Sequence, residues 1–290
     1  MLKGLRESEF KQIREYIYER SGLFFDDNKK GYLEKRLIAR MNQLEIQTFA
    51  EYFYKLKFNE GDEFSRLMEL ITTNETYFFR NIPQLNTFSY HILPELLNRK
   101  ADSGDFRLRI WSAGCSSGEE PYTIAIILKE RIAYIEDWDV EIYGTDISYR
   151  VLKLAQVGEY HPRSLMDTDE NIIRKYFTYD TLNNKYKISD EIIEMVRFKH
   201  LNLYDEEQVT RFKNFDIIFC RNVLIYFDES SRKKVVEMFY DSLVPGGYIM
   251  LGYSESMLRI TKAFEMLRMG SDITYRKPFN HEKGRCCLNG

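Results

Sequence analysis

The chain has 290 residues, of which 44% are hydrophobic and 30% are charged. This composition supplies enough apolar surface for a packed core and excludes a chain that is disordered throughout. The 42 Lys and Arg residues against 45 Asp and Glu residues give a net charge of −3, which disfavours a general nucleic-acid binder. At this length we expect one large domain or two unequal domains.

The sequence shows no signal for a membrane, a secretory or a metal-binding protein. No apolar run approaches the roughly 18–20 residues of a membrane-spanning helix, and the segment MLKGLRESEFKQ has no apolar signal core. The four cysteines form no Cys-x-x-Cys pair, and the four histidines show no metal-ligand spacing. We therefore expect a cytoplasmic protein without a metal, in which Cys115 and Cys220 pack as small apolar residues.

Residues 1–72 have the hydrophobic periodicity of helices. In the first stretch Phe10, Ile13 and Ile17 recur at the spacing of one helix face. No strand pattern interrupts this part of the chain, so we predict a small all-helical N-terminal domain. Four stretches carry the pattern: 10–17, 33–41, 49–56 and 64–71.

Beyond residue 100, short apolar runs alternate with helical stretches. Apolar strands in such an alternation are typical of a parallel α/β sheet with both faces covered. The last two runs flank Met269-Gly270-Ser271-Asp272, which predicts a final antiparallel hairpin. We assign 73–278 to this α/β domain and expect a disordered tail at 279–290. The predicted strands are 108–111, 140–144, 196–200, 215–220 and 248–252, followed by 264–268 and 273–277.

Residues 158–194 do not fit the alternation of strands and helices. This stretch is polar and rich in turn-forming residues. Within it, 176–179 and 185–188 flank Asn183-Asn184, a combination that predicts a small hairpin. We interpret 158–194 as a β-subdomain inserted into the α/β domain.

The loop after the first predicted strand is rich in small residues, which let a backbone approach a ligand closely. Gly114 and Gly118 are four residues apart, so the dinucleotide pattern Gly-x-Gly-x-x-Gly is absent. Glu119 and Glu120 follow at once; they would repel a phosphate but suit a cationic group such as an α-amino group. Alternatively, the two carboxylates only complement the dipole of the helix that they begin.

The later strand ends also carry polar side chains suited to a nucleoside. Asp146 ends the second strand, where an acidic residue can accept two ribose hydroxyls or can cap the next helix. Asn202 and Leu203 follow the third strand and offer a polar and an apolar contact for adenine. Because ligands bind at the carboxyl ends of the strands in such sheets, we predict a nucleoside-containing ligand there.

Three long motifs resemble those of the chemotaxis receptor methyltransferases of the CheR family. They are TNETYFFR at 73–80, IWSAGCSSGEEPY at 110–122 and FCRNVLIYF at 219–227. The resemblance extends over nearly the whole chain to about Lys277. It implies the Rossmann-like sheet of a methyltransferase that depends on S-adenosylmethionine and needs no metal. It also implies methyl transfer to glutamates of receptors, which leaves S-adenosylhomocysteine as the product.

The resemblance implies cofactor contacts by position. Glu120 would hold the methionyl amino group, with Glu119 as the alternative, and Asp146 would hold the ribose. The third strand end would form the adenine wall, and the fourth would flank the methionyl part. The segment between the domains would reach over the cofactor. The implied set is Asn74, Thr76, Arg80, Glu120, Asp146, Asn202, Leu203, Asn222 and Val223.

The resemblance also places Arg80, Arg221 and Tyr226 around the transferred methyl group and the incoming carboxylate. A glutamate with a reference pKa near 4.3 is already ionised at neutral pH, so no general base is required. The two guanidinium groups match the geometry of a carboxylate and would orient it. Each residue also has a simpler interpretation: Arg80 as a surface arginine, Tyr226 as core packing, and Arg221 as a partner of Asp216 or Asp228.

A basic cluster in the N-terminal domain is a candidate docking site for a receptor. Lys35, Arg36 and Arg40 lie in a stretch whose one acidic residue between 28 and 44 is Glu34. Arg36 and Arg40 are four residues apart and so share one helix face. We predict that this cluster binds the cytoplasmic helical domain of transmembrane chemotaxis receptors; the alternative is an ordinary solvated face. We expect a monomer with no nucleic-acid partner.

Two other functions are open from the sequence alone. The chain could methylate a different protein or a small molecule with the same cofactor. It could instead be a cofactor-binding signalling adaptor without turnover, although the arginine and tyrosine positions of the motifs are intact.

Overall fold

Four helices form the N-terminal domain. The computed structural model describes residues 4–58, 60–270 and 272–279. The predicted apolar faces supply the core of this domain, in which Phe10, Leu37 and Leu67 are completely buried. The all-helical prediction is therefore confirmed. The helices are α1 (Glu7–Ser21), α2 (Lys30–Gln43), α3 (Phe49–Phe58) and α4 (Glu60–Ile71).

The second domain contains ten strands and eight α-helices among the described residues. The strands are β1 (Arg107–Ala113), β2 (Asp139–Asp146), β3 (Glu159–Tyr160), β4 (Phe177–Asp180), β5 (Lys185–Ile188), β6 (Val196–His200), β7 (Phe215–Cys220), β8 (Leu243–Leu251), β9 (Glu265–Met269) and β10 (Asp272–Arg276). The helices are α5 (Ile82–Thr87), α6 (Leu93–Asp102), α7 (Glu119–Arg131), α8 (Tyr149–Val157), α9 (Glu170–Tyr176), α10 (Asp190–Ile193), α11 (Glu206–Val209) and α12 (Glu229–Ser242).

Seven of these strands form one mixed sheet in the order β6-β2-β1-β7-β8-β10-β9. Strands β6, β2, β1, β7 and β8 are parallel to one another, and β10 pairs antiparallel with β8 and β9. The predicted α/β sheet with a final antiparallel hairpin is confirmed. Side chains on both faces of β1 are buried, since Leu108 and Ile110 join one apolar cluster while Trp111 and Ala113 join another.

Strand β8 begins earlier than the sequence predicted. The prediction started the strand at residue 248 because Pro245-Gly246-Gly247 is typical of a turn. In the structure β8 runs through this segment from Leu243. Gly246 has a φ of +75°, and the register between β7 and β8 shifts between Phe215 and Ile217. The irregularity lets the ladder continue where proline and glycine would otherwise end it.

The inserted subdomain is a three-stranded antiparallel sheet in the order β3-β5-β4. The predicted hairpin is its β4–β5 pair, whereas the two-residue strand β3 was not predicted because it is too short to show alternation. Phe78 packs edge-to-face on Tyr160 and Phe177, with ring centroids 4.8 and 5.0 Å away. The hydroxyl of Tyr160 donates to the carbonyl of Ser117 at 2.9 Å, which links the subdomain to the loop after β1.

The two domains are joined by main-chain contacts. Leu23 forms an isolated antiparallel bridge with Phe227, and the N–H of Phe24 donates to the carbonyl of Tyr226 at 2.9 Å. The hydroxyl of Tyr18 donates to Asp228 at 3.0 Å. These contacts place the end of α1 beside the segment that follows β7, at the carboxyl edge of the large sheet.

Two further expectations concern the membrane and the tail. Among the described residues, no helix combines the length and the apolar character that crossing a bilayer demands. The predicted disordered tail at 279–290 lies outside the described residues except for Phe279, and so do Cys286 and Cys287.

Candidate functional site

A cavity of about 480 Å³ opens at the carboxyl ends of β1, β2, β6 and β7. The end of α1, the start of α2 and the segment 71–80 form its other walls, so the N-terminal domain contributes to it. Every residue that the sequence assigned to cofactor binding or catalysis lines this cavity: Asn74, Thr76, Arg80, Glu120, Asp146, Asn202, Leu203, Arg221, Asn222, Val223 and Tyr226.

The loop after β1 lies against the end of β2. The N–H groups of Gly114 and Cys115 both donate to the carbonyl of Thr145, at 2.8 and 2.9 Å. Gly114 has a φ of +75°, and a Cβ there would lie 2.4 Å from a methyl group of Val223. A side chain at this position would therefore collide with the opposite wall of the cavity, which explains the glycine.

The adjacent carboxylates of Glu119 and Glu120 have different surroundings. Glu120 lines the cavity, accepts a hydrogen bond from the Ser112 hydroxyl at 2.7 Å and pairs with Arg221 at 3.1 Å. Glu119 is buried away from the cavity, where the hydroxyls of Ser117 and Ser164 contact it at 2.7 and 3.3 Å. Burial raises the pKa of Glu119. Of the two, Glu120 is the carboxylate placed to meet a ligand.

Asp146 supports the loop after β1. Its two carboxylate oxygens accept the N–H groups of Ser116 and Ser148, each at 2.9 Å. Burial raises the pKa of Asp146, and these backbone hydrogen bonds oppose the rise. Capping of α8 is performed by Ser148, whose hydroxyl accepts the N–H of Val151. The alternative that Asp146 is the helix cap is therefore wrong.

Asn202 connects the α/β domain to the N-terminal domain. Its side-chain amide donates to the carbonyl of Arg20 at 2.7 Å, and its amide oxygen accepts the N–H of Tyr204 at 3.1 Å. Leu203 is buried and supplies an apolar patch of the cavity wall. Asn202 thus has an interdomain contact that the sequence did not suggest.

Arg221 is buried and makes two contacts inside the site. One terminal nitrogen pairs with Glu120 at 3.1 Å, and the other donates to the carbonyl of Arg80. The partners considered from the sequence, Asp216 and Asp228, bind elsewhere: Asp216 pairs with Lys100, and Asp228 caps α12. The interpretation of Arg221 as a partner of either aspartate is wrong.

Arg80 and Tyr226 are more accessible to solvent than Arg221. The guanidinium of Arg80 donates to the carbonyl of Glu75 at 3.1 Å and lies 5.6 Å from the ring centroid of Tyr77. Tyr226 keeps 37% of its surface exposed although it lines the cavity. The interpretation of Tyr226 as a core residue is therefore wrong.

The basic cluster of α2 does not present one free face. The guanidinium of Arg36 donates to the carbonyl of Leu70 at 2.7 Å and stacks over the ring of Tyr32 at 3.5 Å. Arg40 makes two hydrogen bonds to the buried carboxylate of Glu63, at 2.9 and 2.7 Å. Lys35 is exposed. The shared face of Arg36 and Arg40 lies against α4, so docking through this cluster stays a prediction.

Sequence reasoning missed Glu255, which lies between β8 and β9. Its carboxylate accepts N–H groups from the loop after β7, the same loop that carries Asn222 and Val223. One signal could have found it, because Glu255 follows the end of a parallel strand closely, at the edge of the sheet where ligands bind.

The two cysteines beside the site are completely buried or nearly so. Burial raises the pKa of both the Cys115 and the Cys220 thiol well above the ordinary value. A thiol with a raised pKa is a poor nucleophile, so this environment suits packing rather than covalent chemistry.

Comparison with known families adds an independent finding. The model described as "CheR methyltransferase, SAM binding domain" matches residues 74–273, and "CheR methyltransferase, all-alpha domain" matches residues 8–72. Chemotaxis protein methyltransferase 2 of Vibrio cholerae is 38% identical over 275 residues, which cover 94% of each chain.

Two further relatives also match this chain over most of its length. The chemotaxis protein methyltransferase of Borreliella burgdorferi is 35% identical and covers 94% of this chain and 95% of its own. Chemotaxis protein methyltransferase 1 of Pseudomonas aeruginosa is 31% identical, with 93% and 97% covered. This chain therefore belongs to the CheR family of chemotaxis protein methyltransferases and carries the S-adenosylmethionine-binding domain of that family.

Proposed function

We propose that this chain transfers a methyl group from S-adenosylmethionine to glutamate side chains of chemotaxis receptors. The products would be glutamate methyl esters and S-adenosylhomocysteine. Family membership supports methyl transfer. The observation that carries the acceptor assignment is the placement of the accessible Arg80 and Tyr226 on the wall of a cavity whose inner part holds two carboxylates, Glu120 and Asp146.

The cavity suits the parts of S-adenosylmethionine. Glu120 offers a carboxylate for the methionyl amino group, and Asp146 offers one for the ribose hydroxyls. Leu203 supplies an apolar contact for the adenine. The absence of a side chain at Gly114 lets its backbone approach Val223 closely. When bound, S-adenosylmethionine supplies a methyl group made electrophilic by the positively charged sulfur.

The two arginines would have different tasks. Arg221 is a positioning residue, because its guanidinium is occupied by Glu120 and by the carbonyl of Arg80. Arg80 is the better candidate to orient the incoming carboxylate, since its side chain is more accessible and its backbone is held by Arg221. The acceptor carboxylate is ionised at neutral pH, so the site needs alignment rather than a general base.

Further parts of the proposal concern the partner and the compartment. The acceptor would be the helical cytoplasmic domain of a transmembrane receptor, which the enzyme would meet as a cytoplasmic monomer. The exposed Lys35 could contact acidic side chains on that receptor, because Arg36 and Arg40 already have partners within the N-terminal domain.

The acceptor can be tested by incubating the full chain with methyl-labelled S-adenosylmethionine and membranes that contain chemotaxis receptors. We expect label on the receptors that mild alkali releases as methanol, since carboxyl methyl esters are base-labile. Membranes from a strain without receptors serve as the control. Alkali-stable label, or label on a small molecule, would assign the chain to another methyltransferase class.

The cofactor contact of Asp146 gives a binding prediction. Asp146→Asn keeps the shape of the side chain but removes the charge that would accept two ribose hydroxyls. We expect the affinity for S-adenosylhomocysteine to fall at least about tenfold by calorimetry, which corresponds to about 1.4 kcal/mol. The exposed Asp137→Asn is the matched control. An unchanged affinity would remove Asp146 from the site.

The different roles proposed for the two arginines predict different effects on kcat and on cofactor affinity. Arg80→Ala and Tyr226→Phe should lower kcat at saturating cofactor by about tenfold or more, with little change in S-adenosylhomocysteine affinity. Arg221→Lys should weaken that affinity, because the single ammonium nitrogen of lysine does not reproduce the two-nitrogen fork that contacts Glu120 and the Arg80 carbonyl. Initial rates and calorimetry on the three variants check this. Weakened cofactor binding in Arg80→Ala, with kcat retained, would refute the assignment.

Docking is tested at Lys35, whose side chain makes no hydrogen bond or ion pair with the residues that the structure describes. Lys35→Glu should raise the KM for receptor about threefold at low salt and less at moderate salt, because exposed charges are screened within about 8–10 Å. Cofactor affinity should not change. Lys11→Glu on α1 is the control. Equal KM values for Lys35→Glu and wild type at both salt concentrations would make α2 an ordinary surface.

A further inference from the structure

The carboxylate of Glu255 collects four backbone N–H groups from two segments of chain. One oxygen accepts the N–H groups of Gly252 at 2.6 Å and Asn222 at 2.8 Å. The other accepts those of Val223 at 3.0 Å and Ile225 at 3.3 Å. An ionised carboxylate has about four acceptor positions, so this side chain uses its full capacity on main-chain donors.

Three of the four donors belong to the loop between β7 and α12. This loop, residues 222–226, lines the cavity with Asn222, Val223, Ile225 and Tyr226. Glu255 lies on a different segment, between β8 and β9. The carboxylate therefore joins two connections that leave neighbouring strands at the same edge of the sheet, and the joined loop is the one that faces the ligand cavity.

The backbone of the loop is in a conformation that needs support. Asn222 has a φ of +60°, in the left-handed region that is unfavourable for residues other than glycine, although asparagine tolerates it better than most. Converging N–H groups in such a turn carry partial positive charge and form an anion-binding concavity. Glu255 fills this concavity with a negative charge supplied by the chain itself.

The fit between the two segments is close. A Cβ at Gly252 would lie 2.6 Å from a carboxylate oxygen of Glu255 and 2.7 Å from the backbone nitrogen of Asn222. A side chain at position 252 would therefore push the carboxylate away from the loop. The requirement for glycine there is an independent sign that the contact is tightly packed.

We propose that Glu255 is a positioning residue for methyl transfer. By holding the main chain of 222–225, it keeps Asn222 and Val223 on the part of the cavity wall assigned to the cofactor. It also orients the backbone that leads to Tyr226. This inference rests on the proposed function, because the loop matters for catalysis only if the cavity binds S-adenosylmethionine and the acceptor carboxylate.

Glu255→Gln in the full chain tests the proposal, because an amide can accept hydrogen bonds on one side only and turns N–H donors toward the N–H groups of the loop. We expect a loss of at least tenfold in kcat at saturating cofactor and a severalfold weaker affinity for S-adenosylhomocysteine, while the KM for receptor changes less than twofold. Glu255→Asp keeps the charge and should recover part of the activity.

The matched control is Glu136→Gln, which removes an exposed carboxylate between α7 and β2, at the opposite end of the sheet. It should match wild type in kcat, cofactor affinity and melting temperature. If Glu255→Gln also matches wild type in kcat and cofactor affinity, the positioning role is refuted. An equal loss in Glu255→Asp and Glu255→Gln would show that the charge alone does not organise the loop.

Amide hydrogen exchange on the wild-type chain keeps the proposal testable even if the variants do not fold. The peptide that covers 221–227 should be protected from exchange in the absence of cofactor, since Glu255 already holds three of its N–H groups. Rapid exchange there would overturn the inference. This measurement and calorimetry with S-adenosylhomocysteine need no receptor, so failure of the acceptor assay alone would refute the proposed function without deciding the role of Glu255.

Discussion

The ion pair between Glu120 and Arg221 joins the first turn of α7 to the loop after β7, on the wall of the cavity. A mostly buried pair needs further hydrogen bonds to offset the loss of water. Here Ser112 donates to Glu120, and the carbonyl of Arg80 accepts from Arg221, whereas Nε of Arg221 has no hydrogen-bond partner among the described residues. The pair therefore sets the distance between two strand ends and fixes the segment that carries Arg80. Loss of either partner would leave a buried charge in the cavity wall.

The loops after β1 and β7 are also held by carboxylates that accept main-chain N–H groups. Asp146 holds the loop after β1 through Ser116, and Glu255 holds the loop after β7 through Asn222 and its neighbours. Backbone donors at the ends of strands lack partners within the sheet, so an acidic side chain can organise them without a basic residue. Contacts within the chain thus define these walls of the cavity, and walls fixed in this way reduce the ordering that binding requires.

The N-terminal domain is part of the site as well as a candidate docking module. Its main chain contacts Tyr226 and Phe227, and the carbonyl of Arg20 accepts from Asn202. A receptor that bound this domain would therefore lie close to the cavity. The same packing explains why the basic residues of α2 are poor evidence for docking. Charged side chains near a domain core find internal partners, as Arg40 does with Glu63, and a sequence pattern cannot distinguish such pairs from a free surface.

The sequence by itself determined the helical domain, the strands of the large sheet with their final antiparallel hairpin, and the cavity-lining residues that belong to the three motifs and the strand ends, because hydrophobic periodicity and long local motifs are recorded along the chain. The strand ends were identifiable since parallel strands bring their carboxyl ends to one edge. Only the tertiary structure showed that Glu120 rather than Glu119 lines the cavity, and only it gave the partners of Arg221, of Arg36 and Arg40, and of Glu255. Each of these depends on which groups meet across large separations in the chain, such as the 101 positions that separate Glu120 from Arg221. No local pattern encodes such a meeting, because it depends on how the packed elements are placed.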